Sequence, residues 1–417
     1  MGKKDKIVRF EDMSMLDCII IGSGPSGLMA ANVLEEKGVS YLLLEKNATI
    51  GRKLLLTGGT RCNVTNYFGI TEFINHLKLK NRRFLYSTLN NFGTKNIVEF
   101  FEDKGVQLSL EKEYQYFPKS SKSQDIINAL SDQITKENIK LKTNVISVKK
   151  TNDGYSVKTE AKEYYTKNVV IATGSKSFPK TGSTGDGVIW GKQFNHKIVP
   201  FYPAETHVYS TFVKKNKEYL QGISLKDCEI KINEQKKIYS GGLIFTHYGL
   251  SGPLIQNISE LIYFDLIKDY VVLKLKLTNY NEDEIRSIFK NKENQNKRVI
   301  RILEKLAVKR LAKFILLYLE FKEDKLIASI SNQEKQLIID KLLQFEIKID
   351  EVEKIENSFV NGGGISTNEI NPATMESKLH KGLYFIGETL DVHGPIGGFN
   401  ITIALSTGYS AAANINS

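Results

Sequence analysis

A chain of 417 residues is too long for one ordinary domain, so two or three are expected. With 41% hydrophobic and 25% charged residues, it is neither disordered nor fibrous, and its longest apolar runs (16–21 and 314–319) fall far short of a bilayer span. The formal charge of +11 leaves two readings open, a lysine-rich solvated surface or a polyanionic partner such as RNA.

Residues 1–15 are charged and polar and read as a short extension without a secretory signal. Leu16-Asp17-Cys18-Ile19-Ile20-Ile21 is apolar and β-branched and reads as a buried parallel strand. It runs into Gly22-Ser23-Gly24-Pro25-Ser26-Gly27, then into a helix marked by Leu28, Ala31 and Leu34 that Gly38 ends. A second strand, 39–44, closes with Glu45, eighteen positions after Gly27. Gly22 permits the tight turn, Gly24 lets a pyrophosphate approach the backbone, and Gly27 lets helix and strand pack closely. The helix N-terminus offers free N–H groups to phosphate, and Glu45 is placed to accept from ribose hydroxyls while repelling a 2′-phosphate. The segment therefore binds FAD or NAD, not NADP.

Two distant segments decide between them. Val169-Val170-Ile171-Ala172-Thr173-Gly174 is a strand ending in Ala-Thr-Gly, where the chain of a two-dinucleotide-fold flavoprotein re-crosses its cofactor. Gly382-Leu383-Tyr384-Phe385-Ile386-Gly387-Glu388 is another buried strand ending in an acid, followed by Gly397-Gly398-Phe399-Asn400 and a helix over 401–413. That helix N-terminus suits the flavin edge that gains negative charge on reduction. A plain NAD dehydrogenase has no use for such a return, so the cofactor is FAD. No second glycine fingerprint and no Cys-x-x-Cys pair occur, so NAD(P)H is expected only as a transient reductant.

The fold class expected is α/β: a split Rossmann-like FAD-binding domain with an inserted strand-rich, barrel-like domain that itself carries a helical subdomain. The FAD domain takes residues 1–195 and 355–417, the strand-rich insert 196–277 and 346–354, and the helical subdomain 278–345. Alternation and β-branched residues over 203–277 read as strands. From 282 the period becomes helical, with an apolar stripe of Leu303, Leu306, Ala307, Leu311, Phe314, Ile315 and Tyr318. Ten basic residues crowd this stretch: Arg286, Lys290, Lys292, Lys297, Arg298, Arg301, Lys305, Lys309, Arg310 and Lys313, opposed only by Glu293 and Glu304. They read either as a solvated face or as a phosphate-tracking surface, Lys290, Lys297, Arg298, Arg301, Lys305, Lys309 and Arg310 being the RNA-binding candidates. The three cysteines, Cys18, Cys62 and Cys228, are scattered, which argues for a reducing, cytoplasmic setting without disulfides or a metal cluster.

The run from Gly51 to Asn66 (GRKLLLTGGTRCNVTN) resembles a hallmark of the BaiN/RdsA family of NAD(P)/FAD-dependent oxidoreductases. Thr181-Gly182-Ser183-Thr184-Gly185-Asp186-Gly187, Phe245-Thr246-His247-Tyr248-Gly249-Leu250-Ser251-Gly252-Pro253 and the block from Gly363 to Asn400 match the same family. Two positions depart from its pattern: Ser175 stands for a second glycine, and His393 for an acid. The resemblance implies further cofactor contacts from Lys46, Arg52, Lys53, Thr57, Gly58, Arg61, Cys62 and Asn63. It extends them to Val145, Asp391 and the turn Gly397 to Asn400.

Members of this family reduce carbon–carbon double bonds, and one branch acts as dihydrouridine synthases on large-subunit (23S) ribosomal RNA. The implied chemistry is hydride to C6 of a uracil ring and a proton to C5. Cys62 is the first candidate proton donor, since a free thiol near ~8.5 is protonated at neutral pH; His247 is the second. Each also has a plain structural reading, a packed thiol and a scaffold imidazole. Competing readings are a small-molecule ene-reductase or amine oxidase on the same flavin, and a non-catalytic RNA-binding flavoprotein. No membrane and no metal partner is expected.

Overall fold

The computed structural model describes residues 15–111 and 114–416; apart from Met15, the N-terminal extension lies outside the described residues. The chain is mixed α/β and divides into two compact units, one from the described parts of Met1–Tyr202 and Asn361–Ser417, the other Pro203–Val360.

In the first unit, Leu16–Ile21 is buried on both faces, as an apolar strand inside a parallel sheet must be. It pairs in parallel with Tyr41–Leu44 (Cys18 opposite Tyr41) on one side and with Glu163–Ile171 (Ile21 opposite Ile171) on the other. Leu383–Phe385 adds in parallel beside Val169, Val170 and Ile171. A strand from the end of the chain thus sits one strand away from the first. The helix Pro25–Glu36 packs against the C-terminal helix Phe399–Ala413. Gly408 makes that contact close, because a Cβ there would lie 2.3 Å from the Ser26 carbonyl oxygen. Lys37 locks the far ends, its Nζ donating to the carbonyls of Ala413 and Ile415.

The second unit is built on a seven-stranded sheet in the order Phe345–Ile349, Val271–Lys276, Ser224–Ile232, Tyr239–Phe245, Gly249–Ser251, Val208–Tyr209 and Glu351–Val352. Its first and last strands are separated in sequence by Asp350 alone, so the sheet must curve back on itself in a barrel-like way. Asp350 N donates to Tyr209 O, and Ser210 Oγ to Lys348 O, across that closure. The stretch 203–277 is not all strand: Pro253–Lys268 is a sixteen-residue helix. Pro253 fits its first position after Gly252, and Leu254, Ile255, Ile258 and Ile262 recur at helical spacing on its buried face. Strand propensity of isoleucine was overridden there by periodicity and capping.

The helical segment forms Glu282–Lys290, Val299–Leu306, Lys309–Tyr318 and Asn332–Leu343. The apolar stripe is broken at Ala307, which is extended, so it belongs to two helices. Ile302, Leu303, Leu311 and Ile315 share one core with Ile230, Leu273 and Ile347 of the sheet. No helix among the described residues is long and apolar enough to cross a membrane.

Candidate flavin site

The glycine turn behaves as its spacing requires. A Cβ on Gly22, at φ +105°, would lie 2.6 Å from the Ala172 carbonyl oxygen, and one on Gly27 would lie 2.0 Å from the Gly22 carbonyl oxygen. A Cβ on Gly24 would meet nothing within 4 Å. That open space lies at the N-cap of a twelve-residue helix that no side chain caps, with Pro25 in its first turn, and Ser26 and Gly27 buried behind it. An uncapped helix start facing open space is the geometry that a pyrophosphate would need. Glu45 is buried, and each of its oxygens holds two donors: Oε2 takes Ser23 N (2.9 Å) and Oγ (2.5 Å), Oε1 takes Asn47 N (2.8 Å) and Nδ2 (2.7 Å). A ribose hydroxyl would compete with the two side-chain donors, the Ser23 hydroxyl and the Asn47 amide, because the other two are backbone N–H groups.

The Thr181–Gly187 motif is tied to this strand end. Lys46 Nζ contacts Asp186 at 2.8 Å and Thr184 Oγ1 at 2.6 Å, and Asn47 Nδ2 donates to Thr181 O. Arg52 Nη1 donates to Asn47 Oδ1. Val145 is buried in its strand and, with Lys46, Asn47, Gly182, Thr184 and Asp186, lines a groove of about 870 Å³.

Where the chain re-crosses, Ala172 N donates to Ile21 O, Thr173 Oγ1 accepts from Gly187 N, and Gly174 N donates to Thr389 Oγ1. Glu388 Oε2 accepts from Lys53 Nζ at 2.6 Å and from Ser175 Oγ at 3.1 Å; Lys53 Nζ also bonds Ser177 Oγ. Ser175, one of the two departures, therefore supplies a donor that glycine could not. Burial alone would raise the Glu388 carboxyl, but the Lys53 ammonium and these hydrogen bonds outweigh it and hold it below its ordinary value. A carboxyl lowered in the fold stabilises above its unfolded value and loses that stabilisation as pH falls through the folded one. The thermal stability advantage of the wild type over Lys53→Met is therefore expected to be larger at pH 7 than at pH 3 and to shrink on acidification. An advantage constant from pH 3 to 7 would remove this pairing from the account.

Gly387 sits against Ser26, where a Cβ would approach Oγ to 2.7 Å, and its N donates to Thr407 Oγ1. Asp391 Oδ1 accepts from Gly363 N. His393, the second departure, is 5% exposed and meets the Tyr202 ring edge-on at 6.0 Å.

The Gly51–Asn66 run carries a left-handed stretch: Gly58 (φ 57°), Gly59 (φ 64°), Thr60 (φ 72°) and Cys62 (φ 61°). Thr57 Oγ1 donates to Leu54 O. Arg61 pairs with Glu111 at 2.6 Å and lies 4.5 Å over the Phe117 ring, which fixes the segment from outside. Cys62 is wholly buried, and burial pushes its thiol up to about 12. Asn63 is buried beside it. Thr65 and Thr402 share a hydrogen bond of 2.8 Å, and Asn66 Nδ2 donates to Gly397 O at 3.2 Å, strapping this run to the C-terminal turn. Gly398 (φ 85°) has no room for a Cβ, which would lie 2.5 Å from Thr65 O, and a Cβ on Gly397 would lie 2.9 Å from the Tyr114 ring. Asn400 bonds both N and O of Gly394, so it shapes the loop before the helix. Phe399 packs on Phe73. The fifteen-residue helix begins at Phe399 with no side-chain cap. Two uncapped helix starts offer N–H donors, Gly24 leaves open space, and an acid at each strand end offers acceptors; FAD needs both kinds of partner, and the residues fit it.

The hydrogen bonds add Ser23, Asn47, Thr65 and Asn66 to the candidates, none of which the sequence reading names as a cofactor contact. Each lies within or beside a recognised motif, so position alone could have flagged them.

His247 lies in the second unit, exposed at the turn between Tyr239–Phe245 and Gly249–Ser251, its ring 4.6 Å from that of Tyr248. The basic stretch is more balanced than its own window suggests. Arg286 pairs with Glu282, Arg301 with Glu304 and Lys313 with Glu323, two of these acids lying outside the window. Lys297 donates to Asn294 Oδ1. Arg310 is committed to backbone carbonyls. Lys290, Arg298, Lys305 and Lys309 are exposed and carry no ion pair among the described residues.

The family described as HI0933-like protein Rossmann domain matches residues 16–414. A ribosomal RNA dihydrouridine synthase of Haemophilus influenzae is 31% identical, over 95% of this chain and 98% of that protein. A 3-dehydro-bile acid delta(4,6)-reductase of Clostridium scindens is 26% identical, over 94% and 97%. Among solved structures, the 3-ketosteroid-delta4-(5alpha)-dehydrogenase of Rhodococcus jostii RHA1 superposes with a TM-score of 0.53 at 11% identity, covering 98% of this chain and 99% of that one, a likeness of fold. With the full-length match and the geometry of its two ends in agreement, the chain belongs to the HI0933-like, BaiN/RdsA-type family and is an FAD-dependent oxidoreductase.

Proposed function

We propose that this enzyme reduces the C5–C6 double bond of a uridine in large-subunit ribosomal RNA, with NAD(P)H as the transient reductant. The observation that carries this reading is the near-complete alignment with the Haemophilus protein, and the exposed cations of the helical segment suit a phosphate backbone. FAD, once reduced by NAD(P)H, would supply the hydride taken by C6; the protein must supply a proton at C5 and hold the uridine out of its stack, which costs about a few kcal/mol. The bile acid relative, aligned over 94% of this chain, favours a small-molecule ene-reductase as the second reading. The test is dihydrouridine in large-subunit RNA from cells with and without the gene. Loss of one modified site, restored by the wild-type gene, supports the RNA reading; unchanged RNA refutes it.

For the proton, the two candidates differ in setting: Cys62 is fully buried in the Gly51–Asn66 run of the first unit, and His247 is exposed in the second. Cys62→Ala and His247→Gln discriminate between them in single-turnover assays. The variant that loses about a hundredfold in turnover with FAD content unchanged, the scale of a lost general acid, identifies the donor. Turnover within a few-fold of wild type in both variants removes both from the role.

A further inference from the structure

The second unit brings two basic segments together that are ninety residues apart. Thr211–Lys215 and Lys217–Leu220 are short helices carrying Lys214, Lys215 and Lys217, all exposed. Lys309–Tyr318 carries Lys309, Arg310 and Lys313, also exposed. Arg310 fastens them: its Nη2 donates to the carbonyls of Glu218 (3.4 Å), Tyr219 (3.0 Å) and Gln221 (2.9 Å), at the end of the first segment. These carbonyls would otherwise be left without partners at a helix C-terminus. Across the two segments the only carboxylate is Glu218, and among the described residues Glu323 is the only acid outside them that pairs with their cations, at 3.6 Å from Lys313. Lys214, Lys215, Lys217 and Lys309 carry no ion pair among the described residues.

Aromatic rings lie among these cations. Tyr219 is 38% exposed and Tyr318 44%, and both pack on the buried ring of Phe314, with centroids 6.2 and 5.9 Å away. Exposed rings that share one buried neighbour, set among unpaired lysines, match what single-stranded nucleic acid needs: cations for phosphates and flat faces for unstacked bases.

We propose that this composite surface binds single-stranded RNA, with Lys214, Lys215, Lys217 and Lys309 on phosphates, Tyr219 and Tyr318 stacking on bases, and Arg310 positioning the two segments. The proposal rests on the RNA reading above and adds to it a contact surface, half of it outside the basic stretch visible in sequence.

The test uses the full-length, FAD-loaded protein and a fluorescent single-stranded oligouridylate. The triple variant Lys214→Gln, Lys215→Gln, Lys217→Gln is expected to bind about tenfold more weakly, and to lower the slope of log affinity against log salt by about 2, at roughly 0.7 per phosphate contact. Tyr219→Ala and Tyr318→Ala should each weaken binding by about tenfold with the slope unchanged. A control triple, Lys149→Gln, Lys150→Gln, Lys158→Gln, removes the same charge from exposed positions of the first unit and should change neither quantity. Thermal unfolding and FAD absorbance confirm that each variant is intact. Equal losses from both lysine triples, or wild-type binding by the tyrosine variants, would overturn the site in favour of attraction by net charge alone. Polyglutamate binding as tight as RNA would overturn it in favour of an acidic protein partner. The two proposals fail separately. A wild-type protein that binds through this surface while cellular dihydrouridine is unchanged keeps the surface and loses the reaction. Variants that bind and modify RNA as the wild type does lose the surface and keep the reaction.

Discussion

Gly24→Ala is expected to leave the fold intact and to lose FAD, whereas Gly27→Ala is expected to damage both. At Gly24 the backbone is extended (φ −70°, ψ 176°), a conformation alanine adopts freely, and its Cβ would touch no protein atom. The methyl would project into the space over the helix N-terminus, where a pyrophosphate must lie against the amides. FAD affinity should fall by about tenfold to a hundredfold, the effect of forcing a methyl into an occupied space, while stability without FAD changes by less than about 0.5 kcal/mol. At Gly27 the methyl would lie 2.0 Å from a backbone oxygen of the turn itself. No rotamer relieves that contact, so strand and helix must separate, at about 3 kcal/mol or more. The ratio of FAD absorbance to protein absorbance, with thermal unfolding before and after FAD addition, separates the two effects. Wild-type FAD content in Gly24→Ala would show that the cradle at the first turn is not where the phosphates lie.

Glu45→Gln is expected to have the next largest effect. The carboxylate accepts from four donors, two on each oxygen. An amide of the same shape turns one of those oxygens into a donor, and its NH₂ then faces either Ser23 or Asn47. A backbone N–H loses its acceptor in both cases, at about 1–3 kcal/mol for the buried one of Ser23 and less for the half-buried one of Asn47. Because Ser23 N belongs to the phosphate turn, FAD binding should weaken along with stability. Titrating FAD into the apoprotein and following unfolding in urea measure both. A stable Glu45→Gln protein with undiminished affinity would mean that the four hydrogen bonds do not organise the turn.

The parts of the site legible in sequence are those whose causes are local. Strand, glycine turn and helix follow one another within residues 16–36; Gly27 answers to the Gly22 carbonyl close by in sequence, Gly22 to Ala172 at the end of the adjacent strand, and Gly24 to open space. The long family motifs carried the rest of the flavin-binding reading. Roles set by distant partners were not legible. Ser175 reads only as a small residue in place of glycine until Glu388, 213 residues later, is brought to its hydroxyl. The strap from Thr65 to Thr402 spans 337 residues. Cys62 shows in sequence only that it is a thiol in the right motif; its complete burial depends on what the fold lays over it. The helix Pro253–Lys268 was misread for the opposite reason, since its local signal was present in Gly252-Pro253 and in the spacing of its isoleucines, and β-branched composition was given too much weight.

By itself the sequence determined the Rossmann-type fold of the first unit and the class of cofactor, and it named the glycine turn and the two chain ends as the candidate site, because these readings depend on short-range sterics and on helix termini that a few residues specify. The tertiary structure alone decided which charges are paired, which thiol is sealed and which lysines become neighbours. Those outcomes depend on distances between residues far apart in the chain, and such distances are set by the packing of the two cores and not by spacing along the polypeptide.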